Sequence, residues 1–198
     1  MEIFPTCYFG SIAFYQKWVA AKRPVIELHE HFIKQTLRSR CEILGPNTIQ
    51  TLSIPVKKTK GNKSTIEEIE LVSDGWQKIH LKSIETAYAS SPFYEYYESE
   101  LFELINFECV MLSDFNNNIH KRILNWLDFP AELFTTHSYL LNENYTLDYR
   151  LNSFDLDAKS FENYTQVFRA KDECVQNLSI LDLILNQGPM ARNWISTK

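Results

Sequence analysis

Apolar residues recur along this chain at two spacings, one typical of strands and one typical of helices. Alternating or continuous apolar stretches predict strands over residues 25–32, 49–56, 66–72 and, briefly, 135–141. Helical spacing predicts helices over residues 11–21, 75–89, 107–127 and 178–185, with a further helix that starts at Ser91 and Pro92. Loops or irregular structure are expected at residues 5–10, 61–63 and 142–160.

This mixture of elements predicts a mixed α/β fold. The N-terminal loop-helix-strand unit is compatible with a Rossmann-like half. A central helical bundle and a small mixed sheet are expected to complete the fold. The chain contains neither an internal repeat nor a low-complexity linker, so we expect a single domain spanning residues 1–198.

The composition narrows the class of protein. Hydrophobic residues make up 44% of the chain, and the formal net charge of −5 disfavours a general nucleic-acid-binding surface. No apolar stretch approaches the length of a membrane span, and the four cysteines include no C-x-x-C pair. With five glycines, the chain lacks a P-loop and a G-x-G-x-x-G motif. We therefore expect a cytoplasmic protein with reduced thiols, without membrane insertion and without a nucleic-acid partner.

Acids and imidazoles are concentrated at the start of the segment 27–40, between apolar stretches. A histidine beside a carboxylate suits a general base near neutral pH. His29, assisted by Glu27 or Glu30, is therefore a candidate catalytic group. Ion pairing of the two acids with neighbouring cations is an equally good explanation.

The same segment offers a metal-binding interpretation. On a strand, Glu27, His29 and His31 share one face because side chains alternate, and such a donor set can reach a zinc ion. A metal-dependent hydrolase is therefore one alternative. Hydrogen bonding along a polar face is the simpler explanation, and no fourth ligand can be identified, so no metal ligand is assigned.

Three cations follow in the same segment. Arg38 and Arg40 present planar forks that suit a carboxylate or a phosphate, and Lys34 presents a point charge. They are candidate ligand-binding residues for an anionic group, such as that of a nucleotide sugar or an acyl phosphate. The alternative is that they neutralise the nearby acids.

One stripe of the predicted helix 75–89 is aromatic. Trp76, His80 and Tyr88 lie on it at helical spacing. Such stripes usually belong to the core, where His80 fits as a hydrogen-bonded residue. The three are nevertheless retained as candidate ligand-binding residues.

A combination of motifs resembles a known family. The central motif is Glu27-x-His29-Glu30-x-Phe32-x-Lys34-Gln35-Thr36-x-Arg38-x-Arg40-Cys41, and the C-terminal motif is Asn177-Leu178-Ser179-Ile180-Leu181-Asp182-Leu183. Together with Tyr8-Phe9-Gly10, they resemble the WbqC-like proteins of bacteria over nearly the whole chain. The central motif adds Gln35 to the candidate ligand-binding residues.

The resemblance implies a role in bacterial surface-polysaccharide biosynthesis of the O-antigen kind, for which glycine transfer to an amino sugar has been suggested. The leading hypothesis is an acyl or aminoacyl transferase that acts on an amino-sugar precursor, with a small-molecule sugar or acyl donor as its partner. His29 would accept the proton of the attacking amine, and the cations would hold an anionic group. A non-catalytic sugar-nucleotide-binding or scaffold protein and the metal-dependent hydrolase remain alternatives. Cofactors and oligomeric state are unknown from the sequence.

Overall fold

A three-stranded parallel sheet in the computed structural model joins two strands from the start of the chain to a short strand at residues 147–148, with the earliest strand in the middle. The structure describes residues 1–57, 64–141, 144–150 and 162–196. The strands are β1 (Glu2–Pro5), β2 (Pro24–Glu27) and β5 (Leu147–Asp148). Helix α1 (Ile12–Ala20) connects β1 to β2, since parallel neighbours require a crossover connection. The Rossmann-like interpretation of this unit stays a prediction.

A separate antiparallel hairpin consists of β3 (Arg40–Leu44) and β4 (Ile49–Ser53). Its turn is closed by the hydrogen bond that the Gly45 amide donates to the carbonyl of Thr48, at 3.0 Å. Side chains alternate between its two faces. The buried face carries Cys41, Ile43 and Leu52, and the outer face carries Arg40, Glu42, Thr51 and Ser53.

The remaining long elements are helices that pack their apolar stripes into a common core. They are α2 (Trp76–Tyr88), α3 (Tyr94–Ile105), α4 (Leu112–Trp126), α5 (Ile180–Gln187) and α6 (Ala191–Ser196). Helix α5 is buried on nearly every side, which matches its apolar sequence. In the described part of the chain, no helix has the length and apolar character needed to cross a bilayer. The predicted mixed α/β class is confirmed, with the expected small mixed sheet divided into two sheets.

The strand predicted over residues 25–32 is too long, because β2 ends at Glu27. There the Glu27 carboxylate accepts a hydrogen bond from the backbone amide of His29 at 2.9 Å, which turns the chain out of the sheet. The shared strand face predicted for Glu27, His29 and His31 therefore does not form.

Other boundaries also differ from the predictions. The segment 66–72 contains a 3-10 turn, Ile66–Glu68, because Thr65 and Glu68 form a capping box in place of a strand ladder. The predicted strand 49–56 ends at Ser53, and that over 135–141 is reduced to one parallel bridge between Ile26 and Thr135.

Helix α4 begins at Leu112 rather than at residue 107, because residues 110–111 pair with residues 70–71. Strands β1, β3 and β5 and helix α6 were not predicted, and β5 lies in the stretch 142–160 that was expected to be irregular. The helices predicted over 11–21 and 75–89 are confirmed to within a residue. The predicted turn 61–63 and residues 142–143 and 151–160 of the irregular stretch lie outside the described residues.

Candidate functional site

A cavity of about 350 Å³ lies where the carboxyl end of β1, the β3–β4 hairpin and the starts of α1 and α5 meet. We call it the central cavity. Ligands of α/β proteins commonly bind beyond the carboxyl ends of parallel strands. Its lining residues are Pro5, Phe9, Ser11, Gln35, Thr36, Leu37, Arg38, Arg40, Cys41, Glu42, Thr51, Arg150, Asn177 and Ser179.

Two helix N-termini form one side of the central cavity. Ser11 caps α1 and Ser179 caps α5, and the two residues form an antiparallel bridge. The Ile12 amide donates a hydrogen bond to the carbonyl of Leu178 at 3.0 Å, and the Ile180 amide donates one to the carbonyl of Gly10 at 2.9 Å. These amides are thus already bonded, but the positive ends of both helix dipoles still favour an anion nearby.

Backbone strain is concentrated at this cavity. Phe9, Gln35 and Asn177 have φ values of 40°, 64° and 55°, in the left-handed region that non-glycine residues seldom adopt. All three line the cavity, although they lie far apart in the sequence. Such strain tends to accumulate at binding sites, where the surrounding structure holds it in place.

The guanidinium of Arg38 is committed to a buried ion pair. Its Nε and Nη2 donate to the two carboxylate oxygens of Glu30 at 2.8 and 2.5 Å, and Nη2 also donates to the carbonyl of Arg150 at 3.0 Å. Burial raises the pKa of Glu30, while the hydrogen bonds and the charge of Arg38 act in the opposite direction. Arg38 therefore forms part of the cavity wall, and Glu30 already compensates its charge.

Arg150 is held in the same way by acids from two strands. Its Nη2 donates to Asp148 at 2.6 Å, and its Nη1 lies 3.6 Å from a carboxylate oxygen of Glu27. Burial acts to raise the pKa of Asp148, but the bonds from Arg150 outweigh it and hold that pKa below its usual value. The charge of Arg150 is therefore also compensated within the protein.

Arg40 differs from the other two arginines. Its Nε donates to Ser53 at 3.3 Å, and the described residues supply no other side-chain partner. Within the described ranges, the remaining donors of its guanidinium are unbonded at the cavity wall. Glu42, two residues along the same face of β3, also lines the cavity, and its carboxylate has no partner in the described ranges.

The predicted ligand-binding residues divide into two groups. Gln35, Arg38 and Arg40 line the central cavity, whereas Lys34 is exposed outside it. Trp76, His80 and Tyr88 do not line it either, because all three are buried in the core on the inner side of α2.

The contacts of His80 and Tyr88 are those of core residues. His80 Nδ1 lies 2.7 Å from the Tyr8 hydroxyl, and burial lowers the pKa of this imidazole to about 4. The Tyr88 hydroxyl donates to Asp182 at 2.9 Å. Asp182 also accepts from Tyr164 and Gln166, so it is a buried structural group behind the cavity.

The three predicted catalytic residues lie outside the lining of the central cavity. Glu27 and Glu30 are the buried partners of Arg150 and Arg38. His29 Nδ1 lies 2.9 Å from a carboxylate oxygen of Glu67, and its Nε2 lies 3.2 Å from the carbonyl of Thr136. Their catalytic roles stay predictions.

The metal-binding interpretation finds no support in the described ranges. Among those residues, no three His, Cys, Asp or Glu side chains are placed to hold one metal ion. The Glu27 carboxylate is occupied by the Thr136 hydroxyl at 2.6 Å and the Leu140 amide at 3.0 Å.

Sequence reasoning missed several lining residues. Glu42 and Thr51 belong to the hairpin, and the alternation of polar and apolar residues from Arg40 to Ile43 is a signal that could have identified β3. Asn177 and Ser179 lie in the C-terminal motif, but only the tertiary fold brings them to the cavity.

Comparison with known proteins yields one match. The model of the WbqC-like protein family matches residues 6–154. No significant match was found among curated proteins or among solved structures. The matched range includes β2, the segment 27–40 and the β3–β4 hairpin, and thus most of the cavity lining. The chain belongs to the WbqC-like protein family.

Proposed function

We propose that this protein is an acyl or aminoacyl transferase that binds an anionic amino-sugar precursor in the central cavity. The single observation that carries the proposal is Arg40, a guanidinium at the wall of the central cavity whose only side-chain hydrogen bond to a described residue is the one to Ser53. A phosphate or carboxylate is the group that such a planar fork binds best. Membership of the WbqC-like family supports a surface-polysaccharide precursor of the O-antigen kind as the ligand.

The size of the cavity favours a small precursor. Its volume of about 350 Å³ is at the lower end of the range of roughly 300–1,000 Å³ for small-molecule sites. A monosaccharide that carries one phosphate suits this space better than a complete nucleotide sugar.

The other charged groups have positioning roles in this proposal. Glu30 and Glu27 hold Arg38 and Arg150 in fixed orientations, so the cavity wall is preorganised before the ligand arrives. The dipoles of α1 and α5 add a positive potential on the same side. The role of His29 as proton acceptor is retained as a hypothesis from the sequence.

Calorimetric titration with glucosamine 6-phosphate tests the binding step. We expect wild-type protein to bind it and Arg40→Gln to weaken binding at least tenfold, because a charge-assisted contact is lost. Arg23→Gln is the matched control, since Arg23 is exposed and precedes β2 at the opposite end of the strand. Equal affinities for wild type and Arg40→Gln would contradict the proposed site.

A non-catalytic sugar-phosphate-binding protein is the second candidate. Among the described residues, the cavity lining contains no imidazole and one carboxylate, that of Glu42. This small set of acid–base groups favours binding without catalysis. Mass spectrometry of glucosamine 6-phosphate incubated with the protein and an acyl-coenzyme A or an acyl phosphate separates the two candidates. An acylated sugar supports the transferase, whereas binding without product supports the alternative.

A further inference from the structure

The carboxylate of Glu42 has no hydrogen-bond or ion-pair partner among the described residues, and the proposed anion contact does not use it. It stands on the outer face of β3, two residues from Arg40, and both side chains line the central cavity. Residues two apart on one strand face are separated by roughly 7 Å. Thr51, the partner of Glu42 on β4, lines the same wall and supplies a neutral hydroxyl.

Among the described residues that line the cavity, Arg40 and Glu42 are the two charged groups without an ion-pair partner. Arg38 is paired with Glu30, and Arg150 is paired with Asp148 and Glu27. Arg40 and Glu42 form no ion pair with one another or with any other residue in the described part of the chain.

The other charged clusters in the part of the chain that the structure describes do not combine a free cation with a free acid in a cavity. The pair of Arg122 and Glu100 and the pair of Arg192 and Asp128 are each internally compensated. The second, shallower depression, on the face of α2, carries two lysines, Lys78 and Lys82, and no acid.

We infer that Glu42 determines specificity by binding a protonated amine of the ligand while Arg40 binds its anionic group. The central cavity thus takes a zwitterionic small molecule with an ammonium group and a phosphate or carboxylate a few ångströms apart. This inference rests on the proposed function, because it needs the ligand to lie in the cavity against Arg40. A neutral hydroxyl in place of the ammonium leaves the carboxylate without its charged partner, which lowers affinity.

Three probes separate the two contacts in calorimetric titrations at pH 7. Glucosamine 6-phosphate carries both charged groups, glucose 6-phosphate lacks the amine, and glucosamine lacks the phosphate. We expect wild-type protein to bind glucosamine 6-phosphate about tenfold more tightly than glucose 6-phosphate. Glu42→Gln should bind the two phosphates equally, with the affinity for glucose 6-phosphate retained.

A matched control and a pH change complete the experiment. Glu103→Gln removes an exposed acid of α3 far from the cavity lining and should keep the tenfold preference. At a pH above the pKa of the sugar amine, the wild-type preference should disappear, because the amine is then neutral. Thermal melts of both variants check that they are folded, as expected for exposed positions.

The outcomes distinguish this inference from the proposed function. Equal wild-type affinities for the two sugar phosphates, both dependent on Arg40, would overturn the role of Glu42 and leave the anion site intact. A preference for the amine that survives in Glu42→Gln would also overturn it. Failure of every phosphate probe to bind would overturn both.

Discussion

Arg38 and Glu30 form a bidentate ion pair buried beside the central cavity, with Nε–Oε1 and Nη2–Oε2 distances of 2.8 and 2.5 Å. Both side chains are almost inaccessible to solvent, at 3% and 6% exposure. The pair connects the turn after β2 to the residue that leads into β3. Since each charge is desolvated, either one becomes costly when its partner is removed.

Removing the guanidinium should therefore destabilise the protein strongly. We expect Arg38→Met to lower the free energy of unfolding by about 3–5 kcal/mol, because it leaves the Glu30 carboxylate buried without a partner. Urea denaturation at pH 7 measures the loss. The double variant Arg38→Met/Glu30→Met should recover most of it, and a loss below about 1 kcal/mol in the single variant would contradict the role of the pair.

The segment 27–40 shows what the sequence could and could not predict. Its density of charge identified the neighbourhood of the cavity, and Gln35, Arg38 and Arg40 do line it. The same charges did not reveal which groups are free, because the partners of Glu27 include Thr136, Leu140 and Arg150, more than a hundred residues away. Which charges find a partner is therefore decided by the tertiary structure.

The fold, like the site, was predicted in part. Helices with strong apolar periodicity, such as α1 and α2, were located to within a residue. Strands were harder, because β1 and β2 have four residues each and offer few alternations to detect. The apolar pattern at residues 66–72 predicted a strand, but a 3-10 turn forms there. The Glu68 carboxylate accepts a hydrogen bond from the Thr65 amide at 2.9 Å, which stabilises that turn.

Two buried histidines predict a specific loss of stability in acid. Burial lowers the pKa of His80 to about 4 and that of His120 to about 3, from an ordinary value of 6.5. Below pH 6.5 the unfolded chain binds protons that the folded protein excludes. Neither histidine therefore affects stability above pH 6.5, and stability falls progressively as the pH drops from 6.5 to about 4 for His80 and to about 3 for His120. Each histidine contributes a slope of about 1.4 kcal/mol per pH unit.

Replacing His120 measures its own contribution to the pH dependence of stability. In denaturant titrations between pH 6.5 and 4, His120→Phe should reduce the pH slope of the free energy of unfolding by about 1.4 kcal/mol per pH unit. His137→Asn, which changes an exposed histidine, is the matched control. An unchanged slope in His120→Phe would show that this imidazole is not excluded from protonation in the folded state.

Gly188 ends α5 at a position that only glycine fits. Its φ is +55°, and a Cβ there would lie 2.4 Å from ring carbons of Phe93. We expect Gly188→Ala to lower the free energy of unfolding by about 2–4 kcal/mol through strain and overpacking. Gly75→Ala separates the two causes, since Gly75 has φ +82° but no atom within 4 Å of the added Cβ. That control should cost about 1 kcal/mol, and equal losses in both variants would exclude the clash with Phe93.

A variant of His29 distinguishes the general-base role predicted from the sequence from a structural role indicated by its contacts. Its ring is held between Glu67 and the carbonyl of Thr136 and lies outside the cavity lining. We therefore expect His29→Gln to keep the affinity for glucosamine 6-phosphate and to lower the free energy of unfolding by about 1 kcal/mol through the lost hydrogen bonds. Titration calorimetry and urea denaturation measure these effects. Where turnover is detected, a fall in kcat of about 100-fold or more at unchanged affinity would support His29 as the general base, and a retained kcat would overturn that hypothesis.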